Sequence, residues 1–174
     1  RFPHLSGPFG WLLSPLVKFV LKRRWAKLNT VHAVQKQVAG FMDRMIDHTT
    51  NKVTVSGIEQ LKPGQAYLFI SNHRDIAMDP ALVNWCLHHH GFDTVRIAIG
   101  DNLLRKACAT ELMKLNKSFI VKRGAKGPRE ILKNLSQLSG YIKHSLEQKH
   151  SIWIAQKEGR AKDGNDETDP AILK

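Results

Sequence analysis

Short apolar runs and amphipathic helix patterns alternate along the chain from residue 66 onward, and this alternation constrains the fold more than any other feature. The runs typical of β-strands are 66–71, 94–100, 117–124 and 151–156, with an alternating stretch at 52–57 before them. The helix patterns between the later runs cover 79–91, 102–115 and 128–148. The last of these places Ile131, Leu135, Leu138, Ile142 and Leu146 on one apolar face. Strands that alternate with helices form a parallel sheet. We therefore predict an α/β fold with a mostly parallel central sheet and helices on both faces, in which 66–71 is a central strand.

The N-terminal part of the chain carries helix patterns without strands. We expect residues 1–50 to form a helical segment ahead of an α/β core at 51–174, and we expect that core to be truncated at its C-terminal end. Residues 32–48 place apolar side chains on one helix face. Residues 9–26 combine a broad apolar face with a narrow basic stripe. Such a helix can lie in a membrane interface or pack on a core, and the sequence leaves both interpretations open.

The charge of the chain favours an anionic partner. The 174 residues carry a formal net charge of +12, and the pI is about 10.0. Nucleic acid, membrane lipid and phosphorylated small molecules all fit so basic a protein. The 42% of apolar residues excludes a disordered chain. Only two cysteines are present, too few for a disulfide framework, so a reducing compartment is expected.

Polar and charged side chains follow three of the predicted strands at the point where each strand ends. The first group is Asn72, His73, Arg74 and Asp75, the second is Lys122 and Arg123, and the third is Lys157, Glu158, Gly159 and Arg160. In parallel sheets, ligands bind beyond the carboxyl ends of the strands. We therefore expect the three groups to meet at one site that holds a histidine, acids and enough cations to bind an anion.

A histidine paired with a carboxylate is a general-base pair, because the acid fixes the tautomer and stabilises the imidazolium. A nucleophile on the protein is not evident: there is no GxSxG sequence, and neither Cys86 nor Cys108 ends a strand. The base is therefore expected to activate a hydroxyl of the substrate while the cations hold a phosphate. A base of this kind contributes roughly 10²–10⁴ in rate.

The stretches "SNHRDIAMD", "KSFIVKR" and "AQKEGR" carry a resemblance to a known family. In this order they resemble the three first motifs of the glycerolipid acyltransferases, which include the lysophosphatidate and glycerol-3-phosphate acyltransferases. The resemblance covers about residues 50–165. It implies acyl transfer from acyl-CoA or acyl carrier protein, with neither a metal nor an acyl-enzyme, and with a glycerol phosphate or lysophospholipid as acceptor.

The resemblance also implies roles for individual residues. His73 corresponds to the general base on the acceptor hydroxyl. Arg123 of the second motif and Glu158 and Gly159 of the third correspond to residues that help bind the acceptor phosphate. The predicted substrate-binding set is completed by their neighbours Asn72, Arg74, Lys122 and Arg160.

The sequence departs from the family pattern at the first and third motifs. Met78 stands where the acid is usual, and the acid follows one residue later at Asp79, so the partner of His73 is either Asp75 or Asp79. Asp79 is also a good N-cap ahead of Pro80. The third motif reads Glu-Gly-Arg without an intervening residue, and Lys157 stands in place of the usual proline. The forms NHRDIxxD and EGRAKDGND resemble a bacterial subgroup in which these variations are built in.

Two rival functions remain open: a catalytically inactive protein of this fold that binds lipid, and a binder of anionic surfaces including nucleic acid. Nucleic acid is not the expected partner, because the sequence lacks a basic-aromatic recognition motif. No metal site is predicted, since His88, His89 and His90 are consecutive and point about 100° apart on a helix. We expect a cytoplasmic protein that attaches peripherally to the inner membrane face through an anionic lipid surface.

Overall fold

The structure is a computed structural model that describes residues 10–26, 28–104 and 107–172. Its α-helices are α1 (Gly10–Trp25), α2 (Val31–Thr49), α3 (Met78–His89), α4 (Ala107–Leu115) and α5 (Pro128–Glu147). Its β-strands are β1 (Leu68–Ser71), β2 (Arg96–Gly100), β3 (Ser118–Val121) and β4 (Ile152–Ala155). Short 3₁₀ turns lie at Ile58–Gln60, Asp101–Leu103 and Pro170–Ile172. The predicted alternation of strands and helices is therefore confirmed.

The four strands form one sheet in the order β1-β4-β2-β3, and every pairing is parallel. Leu68 pairs with Ile152 at the start of β1 and β4, and Ser71 pairs with Ala155 at their ends. The carboxyl ends of β1 and β4 therefore lie side by side. The parallel α/β fold is the predicted one, and the strand order determines which strand ends become neighbours.

Helices cover both faces of the sheet. On one face, Leu87 of α3 packs with Val95, Ile97 and Trp153 in a buried apolar cluster. On the other face, α5 lies against the sheet, where the rings of Phe119 and Tyr141 are 4.8 Å apart between their centroids. No residue of the two central strands, β2 and β4, is exposed, which explains why they are largely apolar rather than alternating.

The two N-terminal helices differ in how they meet the core. The hydroxyl of Thr30 accepts a hydrogen bond from the amide of Ala33 and caps α2, which then packs against α3 and α4. By contrast, α1 exposes large apolar side chains, including Leu16 and Phe19, which are 59% and 60% exposed. None of the helices in the described part of the chain is long and apolar enough to cross a membrane.

Three details of the strand and helix predictions are wrong. Residues 52–57 form no strand, because an alternating pattern makes one only where a neighbouring strand supplies hydrogen bonds. The run 66–71 yields β1, which lies at the edge of the described sheet and not at its centre. The helix expected from residue 102 does not include Asn102 and Leu103, since a 3₁₀ turn at Asp101–Leu103 follows β2 directly, and the helix is described from Ala107.

Candidate active site

The residues that follow β1 and β4 line an open cavity of about 420 Å³ at the carboxyl edge of the sheet. Its walls are His73 on one side and most of the loop 156–167 on the other. We call this loop, which contains Glu158, Gly159 and Arg160, the third-motif loop. The adjacency of β1 and β4 thus brings the first and third predicted groups together, as the strand-end argument required.

His73 pairs with the aspartate at +6. Its Nδ1 lies 2.9 Å from Oδ2 of Asp79. The same oxygen accepts hydrogen bonds from the backbone amides of Arg74 at 2.8 Å and Asp75 at 3.0 Å. Of the two acids that the sequence left open, Asp79 and not Asp75 is therefore the one that contacts the imidazole. Asp79 lies in the first turn of α3, which begins at Met78, so the prediction that it is the N-cap is wrong.

Asp75 has a different part in the structure. Its Oδ1 accepts hydrogen bonds of 2.8 Å from the amides of Ala77 and Met78, where α3 begins. These backbone hydrogen bonds hold the pKa of Asp75 below its ordinary value, and the bond from Met78 has the largest effect. Asp75 therefore satisfies the amide groups at the start of α3, and its hydrogen bonds do not reach the imidazole.

The environment of His73 suits a general base. Its side chain is only 16% exposed, and its ring meets the ring of Trp153 edge-on at 6.1 Å. Because an ionised carboxylate accepts hydrogen bonds only, Asp79 selects the tautomer with the proton on Nδ1. Nε2 then carries a lone pair, and no residue in the described ranges forms a hydrogen bond with it.

The second group reaches the site through Arg123. Its guanidinium lies 3.2 Å from Glu158 in an ion pair, and its backbone amide donates to Asp101 at 3.3 Å. The side chain runs across Gly100, where a β-carbon would stand 2.8 Å from Nε of Arg123. Glycine at this strand end thus makes room for the arginine. Lys122 lies next to it in the wall of an adjacent groove.

The third-motif loop meets the first motif through its backbone. The amide of Ala161 donates to the carbonyl of His73 at 2.8 Å. Gly159 has φ of +81°, a left-handed conformation that favours glycine and turns the chain directly after Glu158. Arg160 follows this turn in the cavity wall. All four predicted residues of the third group therefore line the same cavity as His73.

Asn72 and Arg74 are engaged by an acid that the sequence argument did not select. Oδ2 of Asp166 accepts hydrogen bonds from Nδ2 of Asn72 at 3.1 Å and from the Arg74 guanidinium at 2.7 Å. Both residues were predicted to bind substrate, and in the structure both hold the third-motif loop. No sequence pattern indicated this contact, because Asp166 lies more than 90 residues after Asn72.

An apolar groove of about 650 Å³ adjoins the cavity and shares Lys157 and Glu158 with it. The groove lies between α5 and the sheet, and its apolar lining includes Phe119, Ile131, Leu135, Leu138, Ile142 and Ile154. The predicted apolar face of α5 therefore borders open space over part of its length. A charged cavity continuous with an apolar groove can accommodate an amphipathic ligand.

The histidines at the end of α3 have separate partners. Nε2 of His89 lies 2.8 Å from Asp43, whereas Nδ1 of His90 lies 2.7 Å from the carbonyl of Cys86. Among the described residues, no three histidine, cysteine or acidic side chains are grouped so that they could hold a metal ion.

Comparison with known proteins defines the class. A family model described as acyltransferase matches residues 52–165, and the chain therefore belongs to the acyltransferase family. This family is the one that the motifs predicted.

The fold is similar to the crystal structure of the 1-acyl-sn-glycerophosphate (LPA) acyltransferase PlsC from Thermotoga maritima. The TM-score is 0.53 at 14% sequence identity, and the match covers 79% of this chain and 49% of that one. This chain thus spans about half the length of the solved acyltransferase. No curated protein sequence matches it.

Proposed function

We propose that this protein transfers a fatty acyl group from acyl-CoA or acyl carrier protein to the hydroxyl of a glycerol phosphate or a lysophospholipid. The observation that carries the proposal is the pairing of His73 Nδ1 with Asp79 beside a cavity lined by the third-motif loop. Membership of the acyltransferase family and the similarity of the fold to an LPA acyltransferase support it.

In the proposed reaction, Nε2 of His73 accepts the proton of the acceptor hydroxyl while the oxygen bonds to the thioester carbonyl carbon. Asp79 stabilises the imidazolium that forms. The carbon–sulfur bond then breaks, and the departing thiolate takes the proton from the imidazolium. The products are an oxygen ester and a free thiol, and the histidine is regenerated without an acyl-enzyme.

The ion pairs of the site indicate which cations would meet the acceptor phosphate. Arg123 is paired with Glu158, and Lys157 is paired with Glu167 at 3.1 Å. Arg160 and Lys162 line the cavity and form no ion pair with a residue in the described ranges. We expect these two side chains to bind the phosphate, with Arg123 and Glu158 orienting each other at the edge of the cavity.

The apolar groove between α5 and the sheet is the proposed place for the acyl chain of the donor. It is continuous with the cavity through Lys157 and Glu158, so a thioester at the junction would lie near His73. The exposed apolar side chains of α1, together with Lys18, Lys22 and Arg23, fit an anionic membrane surface. We propose peripheral attachment at the cytoplasmic face of the inner membrane.

The test of the proposed function is His73→Ala in the full chain, with radiolabelled oleoyl-CoA as donor and with lysophosphatidate or glycerol 3-phosphate as acceptor. Removal of the base should lower the rate by roughly 10²–10⁴ while the thermal unfolding midpoint stays close to that of the wild type. His48→Ala, which removes an exposed histidine at the end of α2, is the matched control. A folded His73→Ala protein that keeps more than about a tenth of the wild-type rate would contradict the assignment.

Membrane attachment is tested by sedimentation with vesicles of phosphatidylcholine and phosphatidylglycerol. Replacing Leu16 and Phe19 with aspartate should reduce the bound fraction, because it places charge on the exposed apolar surface of α1. Binding that is unchanged in this variant would count against α1 as the attachment site.

A further inference from the structure

Asp166 joins the two loops that form the cavity. One of its oxygens, Oδ2, accepts a hydrogen bond from Asn72 at 3.1 Å and another from Arg74 at 2.7 Å. Asn72 and Arg74 are the residues immediately before and after His73. A single carboxylate in the third-motif loop therefore binds both neighbours of the proposed base. We call these three residues the Asp166 clasp.

The clasp is reinforced at two backbone positions. The guanidinium of Arg74 also donates to the carbonyl of Gly164 at 3.2 Å. The amide of Ala161 donates to the carbonyl of His73 at 2.8 Å. Gly164 has φ of +85°, so the turn that presents its carbonyl to Arg74 uses a conformation that favours glycine.

The two loops differ in what else holds them. The His73 side is anchored independently, because Asp79 of α3 binds the imidazole and the amides of Arg74 and Asp75. Outside the clasp, the ion pair between Glu158 and Arg123 holds the start of the third-motif loop, whereas its other side-chain hydrogen bonds stay within residues 156–168. Loss of the clasp should therefore loosen the part of the loop that follows Glu158 and leave the histidine in place.

We propose that Asp166 is a positioning residue that holds the third-motif loop against the His73 turn through Asn72 and Arg74, and thereby sets the affinity for the phosphorylated acceptor. This inference rests on the proposed function as far as the acceptor is concerned. It assigns to Asn72 and Arg74 a role in shaping the cavity. The cations that the loop presents, Arg160 and Lys162, must stand at a fixed distance from the base for a phosphate and a hydroxyl of one acceptor to fit together.

The charges of the clasp are consistent with this role. The hydrogen bond from Arg74 is the main cause that holds the pKa of Asp166 below its ordinary value. The same contact raises the pKa of the Arg74 guanidinium. The carboxylate is therefore ionised throughout the neutral range, and the bonds that it accepts are charge-assisted.

The first experiment measures the loop without any substrate. Amide hydrogen exchange is compared between the wild type, Asp166→Ala and the control Glu111→Ala, which removes another exposed acid that pairs with a lysine, Lys114 at 3.1 Å. Asp166→Ala should speed exchange in the peptide that contains Ala161 by roughly tenfold or more, while peptides of α3 and β4 stay unchanged. Unchanged exchange at Ala161 in Asp166→Ala would overturn the proposal.

The second experiment separates positioning from catalysis with lysophosphatidate and oleoyl-CoA as probes. Asp166→Ala should raise the KM for lysophosphatidate by roughly tenfold, with kcat within about threefold of the wild type. Asp166→Asn keeps one acceptor oxygen and should show an intermediate KM. Asn72→Ala combined with Asp166→Ala should be about as impaired as Asp166→Ala alone, because the hydrogen bond of the Asn72 side chain goes to Asp166 and is already lost in the single variant.

The outcomes distinguish the two proposals. If the wild type transfers no acyl group to either acceptor, the proposed function fails, and hydrogen exchange alone decides whether Asp166 holds the loop. If exchange rises in Asp166→Ala but its KM for lysophosphatidate does not, the link to acceptor affinity is overturned. A fall in kcat with an unchanged KM would also overturn that link, since it would mean that Asp166 acts on the base.

Discussion

Helices α2 and α5 carry the same kind of amphipathic pattern, yet α2 buries part of its apolar face in protein and α5 leaves part of its apolar face exposed. On α2, Met42 and Ile46 are 6% and 7% exposed. On α5, Ile131 and Leu135 remain 46% and 50% exposed although they lie on the apolar face that the sequence predicted. The two faces differ in their surroundings, since α2 packs on α3 and α4, whereas α5 borders the groove from Ile131 to Ile142.

The difference shows what an apolar periodicity can and cannot indicate. The period of 3.6 residues identifies the face of a helix that avoids water. It does not identify what covers that face. For Met42 and Ile46 of α2 the cover is protein, and for the face of α5 between Ile131 and Ile142 the proposed cover is the acyl chain of a substrate. Near its C-terminal end α5 is held by protein, as the fully buried Ser145 shows.

The largest expected difference is in stability. Ile46→Ala on α2 should lower the free energy of unfolding by about 2–5 kcal/mol, because it leaves a cavity in packed protein. Leu135→Ala on α5 is the matched variant and should cost less than about 1 kcal/mol, since half of that side chain is already exposed. Both values are measured by urea unfolding. Equal losses of unfolding free energy in the two variants would contradict the conclusion that Ile46 is packed in protein and Leu135 is not.

The next effect is on activity. Leu135→Trp should fill part of the groove and lower the rate with oleoyl-CoA by about tenfold, while the rate with a short-chain donor such as hexanoyl-CoA changes little. The measurement is the ratio of kcat/KM for the two donors. A ratio that equals the wild-type ratio would exclude the groove as the place of the acyl chain.

A smaller effect is expected at the contact between α2 and α3. The indole Nε1 of Trp85 donates a hydrogen bond of 2.7 Å to Oδ1 of Asp43. Trp85→Phe keeps an aromatic ring but removes this donor, and it should lower the free energy of unfolding by about 1 kcal/mol. In an Asp43→Ala background, where no side-chain acceptor remains at position 43, the same substitution should cost less. A loss that is identical in both backgrounds would show that the bond to Asp43 does not stabilise the contact.

The smallest effect is the pH dependence of the same contact. The hydrogen bond from Trp85, followed by that from His89, holds the pKa of Asp43 below its ordinary value of 3.8. A carboxylate with a lowered pKa in the folded state contributes stability above its unfolded pKa and loses it as pH falls through the folded pKa. The stability difference between wild type and Asp43→Asn should therefore shrink below about pH 4. Urea unfolding at pH 7 and pH 3 measures it, and a difference that does not shrink contradicts the assignment.

Much of the fold follows from the sequence. The apolar runs that became β2 and β4 are continuous because both faces of these central strands are covered, and this pattern is readable without coordinates. The strand predicted at 52–57 is wrong, because an alternating pattern is a local property whereas a strand also requires a neighbouring strand to pair with. The position of β1 at the sheet edge depends on the strand order, which sequence spacing does not encode.

Some contacts of the candidate site were also predictable from the sequence, and others were not. That His73, Arg123 and Glu158 would approach each other was predictable, because each follows a strand of one parallel sheet. The choice of Asp79 over Asp75 was not predictable, because the start of α3 at Met78 fixes which carboxylate faces the imidazole. The role of Asp166 was not predictable either, since this residue contacts Asn72 only because the third-motif loop folds back onto the residues that follow β1.

By itself the sequence determined the class of fold, the edge of the sheet that holds the chemistry and the side chains available there. These properties follow from local rules, namely residue periodicity and the residue types that follow each strand. Only the tertiary structure decided which acid orients His73, which cations near the cavity form ion pairs with other described residues, and which apolar face borders a groove. Each of these depends on distances between segments far apart along the chain, and such distances are set by packing.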